Sequence, residues 1–160
     1  MLKRTILATV AVAALMSFGT YGAYAKGATE SSEYEVTVIQ DKGEFSGCLS
    51  ANQTTSVGIL GVAQSALVIF SSQEFNGISK GSKVSGTWSV DGGKSMAFTD
   101  DSTGKDTVTI ALSSESQLTQ LKDGNTATIS VGKDEVNFDL SGFTKGFNAL
   151  SDCMKAHKAS

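Results

Sequence analysis

Apolar residues recur at two spacings along this chain: every second residue through most of its length, and every third or fourth near its end. The first spacing marks strands, whose side chains point alternately to opposite faces; the second marks helices. Residues 34–40 (YEVTVIQ) alternate and are rich in β-branched side chains, which predicts a strand. A turn over 41–43 (DKG) leads to a second strand over 44–50, which carries Cys48, and then to a polar loop over 51–56. From 57 to 70 the chain is apolar (VGILGVAQSALVIF), with a buried strand predicted over 66–70. Residues 83–90 (KVSGTWSV) and 95–99 (SMAFT) flank DGGK, a hairpin signal because glycine readily takes the positive φ of tight turns. A polar turn over 100–105 precedes a strand over 107–112 (TVTIAL). Ser113 or Ser114 can cap a short helix through Leu118 and Leu121, stopped at Asp123 and Gly124. Residues 126–131 and 135–140 predict a second hairpin. Last comes an amphipathic helix, with Ser141 as its cap and Phe143, Phe147, Leu150 and Met154 on one stripe. The expected fold is mainly β: an antiparallel β-sandwich or open barrel of about seven or eight strands, with a short helix and the C-terminal helix covering a face or edge.

One hydrophobic run belongs to neither pattern. Lys3 and Arg4 precede an apolar stretch over 6–16, and Ala23, Tyr24 and Ala25 follow it. Charge, apolar core and small-residue exit in that order predict a signal peptide over 1–25. The run is shorter than the roughly 20 apolar residues a bilayer demands. No cysteine stands directly after the cleavage point, so a lipid anchor is not expected. A single β-rich domain over 26–160 is predicted, exported to the periplasm, with secretion or the cell surface as alternatives.

Charge narrows the partners. Loss of Lys3 and Arg4 moves the formal charge from −3 to −5 and leaves no arginine. Nucleic acid is not an expected partner for such a chain, and no transmembrane segment is predicted beyond the leader. Cys48 and Cys153 are the two cysteines. In an oxidising compartment they predict one intramolecular disulfide. The alternative is a reactive thiol, against which stand the absence of a C-x-x-C spacing and of a base adjoining either sulfur.

The C-terminal half carries a more specific pattern: a strand, the helix SSESQLTQLKDG, two strands, then FDLSGFTKGFNALSDC. Over residues 107–153 this resembles the invasion-associated locus B family, small exported proteins of Gram-negative bacteria. The resemblance rests on Leu140-Ser-Gly-Phe143 entering a helix with the late Cys153, and on the turn Leu121-Lys-Asp-Gly124 before a strand. It implies an exported β-rich domain and brings no catalytic residues with it.

Chemistry is sparse elsewhere. The lone histidine, His157, is the fourth residue from the end of the sequence, in a segment expected to be loose, a poor place for a general base. A zinc or copper site needs more ligands than its surroundings offer. Asp100, Asp101 and Asp106 lack the spacing of a calcium loop, and Gly58 and Gly61 are followed by no phosphate-binding lysine. No cofactor is expected. Val57, Ile59, Leu60 and Val62 form the candidate contact for a protein partner, the other reading being a buried strand or a loop over the core. Trp88 and Phe75 divide in the same way between core anchor and ligand platform. The expected function is a non-enzymatic, exported protein-interaction domain, as the resemblance implies. The alternatives are a small accessory subunit docked on a larger periplasmic enzyme and a thiol-dependent enzyme.

Overall fold

Short polar turns and β-branched runs produce nine strands among the described residues of the computed structural model, 34–62 and 65–158. They are β1 (Glu35–Asp41), β2 (Glu44–Asn52), β3 (Val57–Val62), β4 (Ser65–Ser71), β5 (Lys83–Val90), β6 (Met96–Asp101), β7 (Thr107–Ala111), β8 (Thr126–Val131) and β9 (Asp134–Asp139). Helices α1 (Glu115–Asp123) and α2 (Phe143–Lys158) and a 3-10 turn, Gln73–Phe75, complete the order. The predicted signal peptide lies outside the described residues, as does the polar stretch before Tyr34.

All pairings are antiparallel. One sheet runs β1-β2-β3-β4-β7 and the other β6-β5-β8-β9. Two stacked sheets that do not close on each other make a β-sandwich with a C-terminal helix. The strand count exceeds expectation because the apolar stretch after residue 56 divides into β3 and β4. Both predicted hairpins form. In β5–β6, Asp91 and Gly92 take φ of 50° and 68°, and Gly93 N donates to Val90 O at 2.9 Å. Two consecutive positive φ values give the turn a twist that matches the flanking strands.

The core fills the space between the sheets. Val57, Ile59, Val68, Phe70 and Val108 come from the larger sheet, and Val84, Trp88, Ile129 and Phe138 from the smaller. Phe75 is 2 % exposed and stacks on Phe138 at 6.0 Å, while Trp88 is 1 % exposed. Both aromatics are core anchors. Helix α2 contacts the inner side of β1, β2 and β3, where the smaller sheet does not reach. Leu150 and Met154 pack against Gly61, and Cys153 bonds to Cys48.

Two local details of α2 differ from expectation. Ser141 does not cap the helix: its backbone N and hydroxyl both donate to Asp139 Oδ1, at 2.8 and 2.6 Å. The segment around His157, expected to be loose, is the last turn of α2, with the imidazole stacked on Phe45 at 5.2 Å. That stack depends on a register step between Ile39 and Gln40, which pairs Gln40 with Phe45 and leaves Ser46 out of the ladder. The bulge turns Phe45 to the side of Cys48 and α2.

Tyr34 fastens the other end of α2. Its ring lies where a Cβ on Gly146 would stand, and meets Phe143 edge to face at 6.4 Å. Burial pushes the Tyr34 hydroxyl well above its ordinary pKa of 10.0; the Thr55 hydroxyl draws it partly back and the charge of Asp139 adds to the rise. The elevated value belongs to the folded state, so stability is intact below the unfolded value and falls as pH climbs past it. The slope approaches about 1.4 kcal/mol per pH unit. Tyr34→Phe is expected to flatten this alkaline limb in urea unfolding followed from neutral pH to about pH 11, relative to wild type. An identical slope in both proteins would show that Tyr34 is not its source.

Candidate interaction face

Strand pleating divides the four candidate contact residues into two pairs. Val57 and Ile59 are 0 % exposed and point into the core, so they are withdrawn as contacts; β3 is a central strand whose inner face is covered. Leu60 and Val62 point to the other side of the sheet and are half-buried.

Register extends this outer side across the sheet. Leu49 on β2 stands opposite Leu60, and Leu60 opposite Leu67 on β4. Above them Ala51, Gly58 and Ile69 form a second row, and Ile39 on β1 flanks Leu49 and Leu60. A Cβ at Gly58 would meet Leu49 Cδ1 and Ile69 Cβ at 3.7 Å, ordinary van der Waals contact, so these side chains lie close about the Gly58 position. None of these positions is charged, whereas an antiparallel sheet with one covered face ordinarily carries polar residues on the other. At the β7 side the loop after β6 closes over the sheet, through Thr103 and Thr109 hydroxyls 3.0 Å apart. Leu60, Leu67 and Ile39 remain half-buried.

Of the residues on this outer side, sequence reasoning singles out Leu60 and Val62 but not Ile39, Leu49, Leu67 and Ile69. The signal was present: in VGILGV and SALVIFS apolar residues occupy both parities, the mark of a strand with two apolar faces. It could be assigned to a face only once pairing was known.

The remaining chemistry is engaged structurally. Cys48 and Cys153 form a disulfide with S–S 1.99 Å, so neither sulfur is a free nucleophile. Asp91 borders an open cleft of about 330 Å³ with Lys94, Gln120 and Asp123. Its carboxylate accepts from Asn125 N at 3.1 Å and Thr126 N at 2.9 Å. Those backbone donors, Asn125 first, hold its pKa below the usual carboxylate value. This is the chemistry of a turn lock that joins two hairpins. Asp100 accepts from Ala111 N at 3.0 Å and Asp101 pairs with Lys83 at 3.1 Å, so the acidic turn is spread over separate partners. Among the described residues no group of three or more His, Cys, Asp or Glu is placed to hold a metal, and no helix is long and apolar enough to cross a membrane. No protein-family model, curated protein or solved structure matches the chain.

Proposed function

We propose that this chain is a non-enzymatic interaction domain acting outside the cytoplasm, as its resemblance to the invasion-associated locus B family implies. The observation that carries the reading is the uncharged outer side of the larger sheet, where half-buried Leu60 and Leu67 stand in register beside the buried Leu49 across three adjacent strands. Apolar surface with no charge to satisfy favours a partner patch that is also uncharged, since burying a lone charge against it is costly. Export is supported by the leader-like pattern over 1–25 and by a disulfide, which an oxidising compartment preserves. The same row favours a second reading, a small accessory subunit seated on a larger periplasmic enzyme. A folded subunit offers a broad apolar patch, and a sheet face matches it better than a groove would.

The test is affinity capture of the tagged protein from the periplasm of its own host, with Leu60→Asp and Leu67→Asp as variants. A single partner in fixed stoichiometry, lost in both variants while their thermal unfolding stays cooperative, is the expected result. A large enzyme in that role selects the accessory-subunit reading. Equal capture by wild type and both folded variants would remove the outer face from the function.

A further inference from the structure

We propose that the free edge of β1 accepts an extended, lysine-flanked segment of a partner protein as an added strand, a mode of binding that rests on the interaction reading and specifies how a partner engages. Two sheets with two ends each have four edge strands, and three of them are guarded. β6 and β7 face each other at one corner, where Ala111 N donates to the Asp100 carboxylate at 3.0 Å. β9 (DEVNFD) carries acidic residues at half its positions and is flanked by the 3-10 turn. Charges on an edge and elements laid against it are the usual means of preventing unwanted strand pairing.

β1 carries no charge along its middle, and the helix packed against it, α2, lies on the inner side of the sheet. Residues 36–40 (VTVIQ) are uncharged, the first four of them β-branched, and among the described residues β1 pairs with β2 alone. Val36, 38 % exposed, is the large hydrophobic side chain most open to solvent among the described residues. An unpaired strand of this composition presents backbone donors and acceptors to any extended segment.

Charge selects the occupant. Glu35 and Asp41 stand at the two ends of β1, and Glu44 follows at the start of β2, with Lys42 the single base between them. A second copy of β1 in the full-length antiparallel register centred on Val38 places Glu35 against Asp41 at both ends, and like charges directly opposite each other are destabilising. A segment with alternating β-branched residues and a lysine at each end converts both repulsions into attractions.

The experiment uses the exported, disulfide-bonded chain and two synthetic peptides of alternating valine and threonine, one ended by lysines and one by glutamates. The lysine-ended peptide is expected to slow hydrogen exchange at the amides of residues 36–40 and to bind less well in high salt. The doubly reversed variant Glu35→Lys/Asp41→Lys is expected to bind it about tenfold more weakly, from two cross-strand pairs switched from attraction to repulsion. The glutamate-ended peptide then binds the variant in preference to wild type, which also shows that the variant is folded. Three results overturn the inference: no protection of β1, equal protection by both peptides, or protection that rises with protein concentration alone, the sign of a second copy. If β1 stays unprotected while Leu60→Asp still loses its partner, the edge inference fails alone. If β1 is protected and the Leu60 and Leu67 variants capture as wild type does, the outer-face reading fails alone.

Discussion

Replacing both cysteines (Cys48→Ala/Cys153→Ala) is expected to lower unfolding free energy by about 3–5 kcal/mol, among the largest losses available in this chain. The bond joins residues separated by 105 positions. On the chain-entropy account, stabilisation grows with the length of the closed loop and reaches about 4.7 kcal/mol for a loop near 100 residues. Urea unfolding should show the loss directly, together with a steeper denaturant dependence, because the uncrosslinked unfolded chain exposes more surface. For a domain of this size the thermal midpoint should fall by roughly 10–20 °C. The fold is expected to survive, since α2 keeps Phe143 and Leu150 in the core, Tyr34 over Gly146, and Met154 against Gly61. Hydrogen exchange should therefore rise first in its last turn, around His157, where the stack on Phe45 is left to hold the helix alone. A loss below about 1 kcal/mol would mean that these contacts already confine the helix in the unfolded ensemble.

Trp88→Ala should cost a further amount of similar size, about 3–5 kcal/mol, by a different mechanism. Trp88 sits on β5 between Met96 on β6 and Ile129 on β8 and is 1 % exposed, so truncation leaves a cavity that three paired strands cannot collapse to fill. Against a total stability of about 5–15 kcal/mol, that loss brings the domain close to unfolding at physiological temperature. Trp88 is the only tryptophan, so circular dichroism must report on the variant. In wild type, emission from this buried indole should shift to the red on unfolding, in step with the loss of sheet signal. A ligand platform behaves in the opposite way: truncating one removes binding and leaves stability within about 0.5 kcal/mol. Combined with the cysteine pair, the two losses should add, because the disulfide lies under α2 on the larger sheet and Trp88 on the smaller one.

Most of the architecture was legible in the one-dimensional pattern. Alternation marked β1 and β8, DGGK the β5–β6 hairpin, and Ser114 the start of α1, where its hydroxyl accepts from Gln117 N at 3.3 Å. The stripe of Phe143, Phe147, Leu150 and Met154 marked α2 and the side it buries. These features are local: period, turn chemistry and capping act over a few residues and need no knowledge of the rest of the chain. The two cysteines paired as expected, since a count of two admits one intramolecular bond.

What the sequence could not decide was the destination of the apolar stretch after residue 56. Periodicity identifies a strand with two apolar faces, but which face meets the core depends on which strands lie beside it. Pairing with β2 and β4, and α2 lying along the inner side, sent Val57 and Ile59 inward and left Leu60 and Val62 on the outside. Tertiary structure alone also brought Leu49, Leu60 and Leu67 into one row, turned Phe45 toward His157 through a bulge, and left β1 paired on one side only among the described residues. The sequence by itself determined the elements, the disulfide and the fold class, because those follow from short-range pattern and composition. The surfaces proposed for binding were decided by strand order and register, which arise only when distant segments pair.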